Sequence, residues 1–519
     1  MVLLDPWPMV DKTGVLDLGQ WSATRSDLFP NDVREVFSRL QNHVRPHSYH
    51  ATRATIKAEL GAEIEEIFEE FDGVPIGVGA IAQVYRAKLR GQPNNHNPAA
   101  KIMYPTPGVE LKEQSSNYVA VKVLHPNVET EVYIDLLLLK WASQTISRIS
   151  ALRWVSLSDE AQTFSKMMID QLDLAREARH LAQFRREFKK WRYITFPTPY
   201  RVRLSQDGHV ECSVLEEDGV IETHRVLVEE HIDGSPLSKF LKCAPSTYDE
   251  ELARLGLESF LEMLLINNHI HSDMHPGNIL VTFVPTNVVE NTIDKIQSAA
   301  IQLPRSHSRQ TDDQTDDIQC TEFRAALAAM EGHYRPRLVL LDVGLSTTLS
   351  PVRRRDLIDL LRAIAEFRGR DAGHLMVERS RDPTTVIDQE GFAAKIDKIV
   401  LSVKKDTLAL GRVGFGQILS DVLSSVRQHR VRLEGDFANI VVAIIVVEGI
   451  GRQLDDELDL LAATVPVLSR LDSQTKGEFR HIVGQGMLLH VARFLWGWTS
   501  GVDVTEYESY RILFPYPDP

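Results

Sequence analysis

The pattern of apolar and polar positions predicts helices at the start of the chain and strands soon afterwards. Residues 31–40 and 47–60 carry apolar side chains at helical spacing. Period-two alternation, which is typical of half-buried strands, follows at 81–89 and 119–124. The chain is therefore expected to open with a helical segment and to continue into a sheet.

The apolar period changes again beyond this sheet. Residues 158–188 predict one long amphipathic helix or a pair of helices, and strands are predicted at 200–204 and 226–230. Helical patterns then occupy the ranges 248–267, 353–367, 391–403, 416–428, 437–454 and 477–495. Strands first and helices afterwards are typical of an α+β protein with a small sheet-rich lobe joined to a helical lobe.

This order divides the chain into three predicted parts. Residues 1–60 form a helical N-terminal extension, residues 61–234 a sheet-rich N-lobe, and residues 235–519 a helical C-lobe. Residues 286–333 interrupt the C-lobe, with an acidic middle and little apolar periodicity before Phe323. A connection of this length is uncommon inside a compact domain, so we predict a disordered insertion.

Composition narrows the classes of function. The 519 residues carry 58 Lys and Arg against 72 Asp and Glu, a net charge of −14, which argues against general nucleic-acid binding. Cys212, Cys243 and Cys320 are scattered singly, with no metal spacing or disulfide framework, as expected in a reducing compartment. No apolar run reaches the roughly 18–20 residues that a transmembrane helix needs, and residues 1–17 resemble neither a secretory signal nor a basic transit peptide.

The run 271–281, His-Ser-Asp-Met-His-Pro-Gly-Asn-Ile-Leu-Val, carries the most informative motif. Asp273 precedes Asn278 by five positions, which is the D-x-x-x-x-N spacing of a kinase catalytic loop. In such a loop the aspartate takes or orients the proton of the acceptor, and the asparagine binds magnesium. Asp342 ends another apolar run two residues before Gly344, and we predict that it is a second metal ligand.

Lys122 lies in an alternating apolar strand, Val-Ala-Val-Lys-Val, like the lysine that pairs with the ATP phosphates in kinases. In isolation, such a lysine is more often only the solvent-facing member of its strand. A helix glutamate holds the lysine in kinases; Glu177 is the predicted partner, and Asp173, one helical turn away, is the alternative. Because these motifs occur in kinase order, they predict phosphoryl-transfer chemistry with ATP and Mg²⁺ as cofactors.

A glycine-containing loop at 74–84 is the predicted phosphate loop, because Gly77, Gly79 and Ala80 allow close approach of the backbone. A lone Gly-x-Gly more often marks a β-turn, but its position just ahead of the lysine strand favours phosphate binding. Glu230 lies in the predicted connection between the lobes, where backbone groups would bind adenine and complete the nucleotide site.

The sequence resembles the UbiB-type, or aarF-domain, atypical kinases, and most of all their type 2 subgroup in animals and fungi. The most specific elements are I-A-Q-V at 81–84, V-A-V-K-V-x-x-P-x-V at 119–128 and the motif at 271–281. Gly19 and Gln20 match the family's K-x-G-Q extension motif, which ordinary kinases lack.

The resemblance implies a protein-kinase-like two-lobed fold whose N-terminal extension covers the nucleotide site. It also implies a mitochondrial location and a supporting role in coenzyme Q biosynthesis or lipid homeostasis. Lipids, coenzyme Q precursors and a membrane-associated biosynthetic complex are the implied partners, and ATPase-type activity is implied more than protein phosphorylation.

The chain departs from the family pattern at three places. Asp17 stands where the family has the lysine of K-x-G-Q, and Gln171 replaces the first acid of an E-x-D. The third departure is the pair Gly77 and Gly79 in a loop that is usually alanine-rich.

Two other functions remain open from the sequence. One is a pseudokinase that acts as a nucleotide-gated scaffold for a lipid-enzyme complex, which the intact Asp273 disfavours only mildly. The other is a small-molecule phosphotransferase, because that class shares H-x-D-x-x-x-x-N and also lacks the A-P-E of protein kinases. The extension motif and I-A-Q-V argue against it. Only residues 345–350 separate Gly344 from Pro351, which leaves no room for a peptide-docking segment and predicts poor protein phosphorylation in trans.

Overall fold

The structure is a computed structural model of the chain. It describes residues 46–90, 103–105, 111–113, 118–148, 157–204, 210–216, 219, 223–286, 313–365, 368–408, 415–433, 435–456 and 458. The helices predicted at 31–40 and 477–495 lie outside the described residues, as do Gly19 and Gln20 of the extension motif.

Strands and helices alternate in the first half of the described chain, and helices dominate the second half. The strands are β1 Phe68–Phe71, β2 Gly77–Val78, β3 Ala82–Leu89, β4 Met103–Pro105, β5 Leu111–Glu113, β6 Tyr118–Leu124, β7 Ile194–Thr195, β8 Pro199–Leu204, β9 Val210–Val214, β10 Val226–Glu230, β11 Ser235–Pro236, β12 Ile270–His271, β13 Ile279–Pro285, β14 Tyr334–Leu340 and β15 Ser346–Thr347. The helices are α1 Tyr49–Leu60, α2 Ile64–Ile67, α3 Val128–Ile146, α4 Leu157–Gln171, α5 Leu174–Glu187, α6 Leu237–Lys242, α7 Asp249–Leu261, α8 Asp313–Met330, α9 Pro351–Ala365, α10 Gly369–Glu378, α11 Gln389–Leu408, α12 Phe415–Gln428 and α13 Gly435–Leu454.

The N-lobe is built on a sheet of seven strands among the described residues. Its order is β1-β3-β6-β10-β8-β9, and β2 pairs with β3. Alternation along the central strands gives the sheet two different faces. One face packs Tyr85, Val121 and Val228 into an apolar cluster, and the other carries Lys122.

Helix α1 closes the apolar face of this sheet. The Ser48 side chain accepts a hydrogen bond from the Ala51 N–H at its start, and Gly61 ends the helix with a left-handed φ of 73°. Ile56 is completely buried in the same cluster as Val121. This helix, predicted at 47–60, is therefore part of the N-lobe core rather than a separate extension.

A second sheet lies in the C-lobe, in the order β5-β4-β13-β14-β7, with β11 paired to β13. Strands β13 and β14 pair antiparallel, from Ile279 opposite Leu340 to Pro285 opposite Tyr334. Three of its strands, β4, β5 and β7, come from segments that the sequence places with the N-lobe. Met103 of β4 pairs with Phe283, and β7 pairs in parallel with β14.

The helical part of the C-lobe surrounds two further apolar clusters. Phe260 of α7 belongs to the larger cluster and Phe392 of α11 to the smaller one, and both side chains are completely buried. Helices α10 and α11 approach closely at Gly373, where an added Cβ would come within 2.6 Å of the Ala393 Cα. None of the helices among the described residues combines the length and the apolar character required to cross a bilayer.

The structure corrects the predicted insertion at 286–333. Residues 313–330 form α8, which buries Phe323, Leu327 and Met330 in the larger C-lobe cluster. The low apolar periodicity before Phe323 concealed this helix, because its apolar face is confined to its second half. Residues 287–312 lie outside the described part of the chain, so the prediction stays open there.

The expectation that the cysteines are unpaired is also wrong. Cys243 follows α6, and Cys320 lies on α8, 77 positions later in the sequence. The two form a disulfide, whereas Cys212 is a buried free thiol. Single cysteines so far apart give no spacing signal, so only the fold brings them together.

Candidate nucleotide and metal site

Lys122 and Glu177 form the predicted ion pair in the structure. The Lys122 Nζ lies 2.9 Å from each carboxylate oxygen of Glu177. Their side chains are only 10% and 5% exposed. Asp173, the alternative partner, instead caps α5 by accepting from the Ala175 N–H and contacts His224. Capping fixes the start of α5 and so holds Glu177 in its first turn.

Asp342 completes a cluster around the same ammonium group. Its Oδ1 lies 3.1 Å from the Lys122 Nζ, and its side chain is 48% exposed. The residue has a left-handed φ of 49°, which turns the chain sharply after β14. A Cβ at Gly344 would lie 3.4 Å from the Asp342 Oδ1 and 3.5 Å from the Glu177 Oε2. A glycine therefore leaves room beside both carboxylates.

The charges of this cluster depend on one another. Burial favours the neutral form of Lys122, but Asp342 and Glu177 outweigh it and raise the pKa of the lysine above its usual value. Burial also acts to raise the pKa of Asp342, yet the Lys122 ammonium holds that pKa below its usual range. For Glu177 burial dominates and raises the pKa to about 7, although Lys122 opposes the shift. Lys122 therefore stays charged, and Asp342 stays ionised.

The predicted catalytic loop is held beside this cluster by the backbone. The Asn278 Nδ2 donates to the Asp273 carbonyl oxygen at 3.2 Å and to its Oδ2 at 3.1 Å. The Leu341 N–H donates to the Asn278 carbonyl oxygen at 2.8 Å, which ties the loop to the residue before Asp342. Burial raises the pKa of Asp273, and the Asp342 charge adds to that effect.

His271 opens the catalytic-loop motif, and no role of its own was predicted for it from the sequence. Its ring is completely buried, and burial lowers its pKa, so the imidazole is neutral. Its Nδ1 accepts from the Asp273 N–H at 3.3 Å, so its Nε2 carries the proton and donates to the Leu341 carbonyl oxygen at 3.1 Å. The imidazole thus links the start of the catalytic loop to the end of β14.

The glycine loop forms a hairpin over the N-lobe end of the site. Gly77 pairs with Val84 across the hairpin, and the Gly79 N–H donates to the Ala82 carbonyl oxygen at 2.8 Å. A Cβ at Gly77 would meet no atom within 4 Å, and one at Gly79 would make ordinary contact. The protein's own packing therefore does not require either glycine. Ala80 lies at the tip of this turn.

Glu229, rather than Glu230, places its side chain on the Lys122 face of the sheet. The Glu230 carboxylate accepts from the Thr198 hydroxyl at 2.6 Å and from the Thr198 N–H at 3.2 Å, on the opposite face. Burial raises the pKa of Glu229 to about 8, and the Glu177 charge adds to that shift. The predicted contribution of Glu230 is thus limited to its backbone. Sequence reasoning missed Glu229 because two adjacent glutamates follow an apolar run that is buried on both faces.

Protein kinases use the same kinds of residue in their active sites: a lysine held by a helix glutamate, an aspartate and an asparagine in one loop, and a second aspartate at a strand end. In this chain these residues lie between a sheet-rich lobe and a helical lobe. The chain therefore has the α+β, kinase-like fold predicted from the sequence.

Comparison with known proteins narrows this class to one family. The profile of the ABC1 atypical kinase-like domain matches residues 39–113, 109–207 and 219–294, and that of the UbiB helical domain matches residues 407–459. The chain belongs to the ABC1, or UbiB, family of atypical kinases, as the sequence motifs predicted.

Two curated relatives and one solved structure illustrate the match. A mitochondrial ABC1 family protein of Schizosaccharomyces pombe is 36% identical over 96% of this chain and 70% of its own length. A mitochondrial ABC1 family protein of Saccharomyces cerevisiae is 34% identical over 87% of this chain and 65% of its own length. The solved complex of Rv3197 with erythromycin from Mycobacterium tuberculosis is 16% identical, covers 84% of this chain and 88% of its own, and has a TM-score of 0.45.

The names of the two relatives confirm the mitochondrial location expected from the resemblance. The chain spans only about two-thirds of the length of each, 70% and 65%.

Proposed function

We propose that this chain binds MgATP between its lobes and acts as an atypical kinase-like ATPase. The observation that carries the proposal is the bidentate Lys122–Glu177 pair, with Asp342 in contact with the same ammonium group. A buried lysine that is fixed in this way is preorganised to bind the α- and β-phosphates.

The residues present fit a magnesium ion that is bound together with nucleotide. The amide nitrogen of Asn278 donates to Asp273, which leaves the amide oxygen for a metal. The Asp342 carboxylate is half exposed to the cleft. Magnesium is usually held by one or two such oxygens together with phosphate oxygens and water. Bound there, it would neutralise phosphate charge during transfer.

The remaining residues take roles that follow from their positions. Asp273 would orient the attacking hydroxyl or water, because its carboxylate is fixed by Asn278 and its backbone by His271. The hairpin with Gly77 and Gly79 would cover the phosphates with its backbone.

The segment after Gly344 supports ATP hydrolysis over protein phosphorylation. Strand β15 pairs directly with β12, with Ser346 opposite His271, and the Ser272 N–H donates to the Leu345 carbonyl oxygen at 2.9 Å. Helix α9 then begins at Pro351. A chain tied down so soon after the metal-binding aspartate provides no surface on which a peptide could dock.

We further propose a supporting role in mitochondrial coenzyme Q biosynthesis or lipid homeostasis. Family membership and the mitochondrial relatives support this assignment. Lipids, coenzyme Q precursors or a membrane-associated biosynthetic complex would then be the partners.

Asp342→Asn tests the nucleotide site. Ligand that binds the native state alone stabilises by RT ln(1 + [L]/Kd), about 2.7 kcal/mol at a hundredfold excess over Kd. We expect MgATP to raise the Tm of the wild-type protein, and Asp342→Asn to lose most of that rise.

The matched control is Asp371→Asn, since Asp371 is exposed on α10 and pairs only with Arg368 among the described residues. It should keep the full MgATP-dependent rise. Release of labelled phosphate from ATP should be similar in the wild-type protein and Asp371→Asn and should be reduced in Asp342→Asn. A generic peptide library should receive no label from any of the three proteins. Equal MgATP shifts for wild-type and Asp342→Asn proteins would refute the site.

A further inference from the structure

One carboxylate in the cleft has no role in the site described above. The Oε2 atom of Glu229 is buried and has no hydrogen-bond partner in the described structure. Lys122 cannot satisfy it, because its ammonium group already contacts Glu177 and Asp342. A buried polar atom left without a partner is unfavourable by itself and calls for an explanation, of which a bound ligand is one.

The register of β10 shows where this atom lies. Glu229 is directly opposite Ala120 of β6, and Leu227 is directly opposite Lys122. Opposed residues in an antiparallel pair share a face, as do residues two apart on one strand. Glu229 therefore lies on the Lys122 face, one strand repeat further towards the chain that connects the lobes. The neighbouring residues of β10 agree with this assignment. Leu227 packs into the larger C-lobe cluster, on the Lys122 side of the sheet, whereas Val228 packs into the N-lobe cluster on the opposite side.

This position corresponds to the base of a bound nucleotide. In the proposed complex Lys122 binds the α- and β-phosphates, so the ribose and base extend away from it along the cleft. Ala120 is the small residue on the sheet at that point and leaves space for a flat ring. A base over Ala120 would present one edge to the cross-strand neighbour, about 5 Å away between Cβ atoms.

We propose that Glu229 determines base specificity by accepting a hydrogen bond from the exocyclic amine of adenine. The inference rests on the proposed nucleotide site and names the nucleotide class that the site accepts. A carboxyl group keeps an acceptor oxygen in either protonation state. Position 6 of adenine is an amine that donates, whereas position 6 of guanine or hypoxanthine is a carbonyl that only accepts. A 6-oxopurine would leave the Glu229 oxygen unpaired or repelled.

The experiment compares ATP with inosine triphosphate, which has a carbonyl in place of the amine at position 6 and a hydrogen on N1; purine riboside triphosphate, which has neither group, separates the two differences. Dissociation constants are measured by titration calorimetry with Mg²⁺ for the wild-type protein, Glu229→Gln and Glu229→Met. We expect wild-type protein to bind ATP roughly 10- to 100-fold more tightly than inosine triphosphate. The Gln side chain keeps an acceptor oxygen and should keep most of this ratio. The Met side chain has no such acceptor, so the ratio should fall to within about threefold of unity.

Glu211→Met is the matched control, because it places the same substitution on an exposed position of β9 in the same sheet. It should leave the ratio unchanged. Equal loss of ATP and inosine triphosphate affinity in Glu229→Met would overturn the proposal, because it would place Glu229 near the phosphates instead.

If Glu229→Met does not fold, Glu229→Gln and the wild-type protein can still refute the proposal. Purine riboside triphosphate lacks any group at position 6, so it should bind about tenfold or more weakly than ATP. Equal binding of the three nucleotides by wild-type protein would refute base reading by Glu229 while leaving the MgATP site intact. Absence of all nucleotide binding would instead refute the proposed function, and this inference with it.

Discussion

Removing Lys122 alone should destabilise the nucleotide-free protein far more than removing Lys122 and Glu177 together. In Lys122→Met, Glu177 remains 5% exposed and faces Asp342 and Glu229 without a cation. Breaking a buried pair in this way typically destabilises by about 3–5 kcal/mol, because the remaining carboxyl group must either stay ionised away from water or take up a proton on folding. Glu177→Met should have a smaller effect, since Lys122 keeps its 3.1 Å contact with Asp342.

The double variant Lys122→Met and Glu177→Met removes both buried charges and leaves Asp342, which is half exposed and can be hydrated. Its free energy of unfolding should lie within about 1–2 kcal/mol of the wild-type value, since well-packed apolar residues often replace a buried pair at little loss. The coupling energy from the four proteins should therefore be about 2–4 kcal/mol.

Urea unfolding of the four nucleotide-free proteins, followed by tryptophan fluorescence, measures these values. Additive effects, with the double variant losing the sum of the single losses, would refute the reasoning. So would a loss below about 1 kcal/mol in Lys122→Met.

Two further changes test the corrected region of the C-lobe. Leu327→Ala on α8 should lower the free energy of urea unfolding by about 2–5 kcal/mol because the side chain is completely buried. The control Glu322→Ala, on the exposed face of α8, should change it by less than about 0.5 kcal/mol. Similar small effects of both substitutions would show that α8 does not pack. Reduction of the Cys243–Cys320 disulfide should lower the Tm, since the bond closes a loop of 77 residues and such bonds stabilise by about 2–5 kcal/mol. Cys320→Ser should have a Tm that no longer responds to dithiothreitol, and a wild-type Tm equally indifferent to it would contradict the pairing.

Local patterns in the sequence predicted most of the elements that position the site. Period-two alternation predicted the strand with Lys122, helical spacing predicted the helix with Glu177, and a short apolar run marked the strand before Asp342. The motif spacing also identified Asp273 and Asn278, because a short loop fixes their separation. These features are local, so a single sequence contains the information that determines them.

Features that depend on distant segments were missed. Helix α3 and the short strands β4 and β5 were not predicted. The choice between Glu229 and Glu230 depends on which alternate residues of β10 face the cleft. The sequence does not show this, because the preceding residues Leu227 and Val228 are both apolar. Only the pairing of β10 with β6 settles that choice. The pairing of Cys243 with Cys320 likewise depends on where α8 packs.

The mixed origin of the C-lobe sheet limits how the two lobes can move. Strand β7 bonds to β14 through Ile194 and Thr195, and β4 bonds to β13 at Phe283. A hinge that opened the cleft widely would have to pull these main-chain pairs apart or carry them with it. Relative movement of the two lobes is therefore restricted by main-chain hydrogen bonds as well as by side-chain packing. In the proposed nucleotide complex, the Gly77–Gly79 hairpin, which is bonded to β3 and to His125, would be the part with the fewest main-chain links to move as a nucleotide enters and leaves.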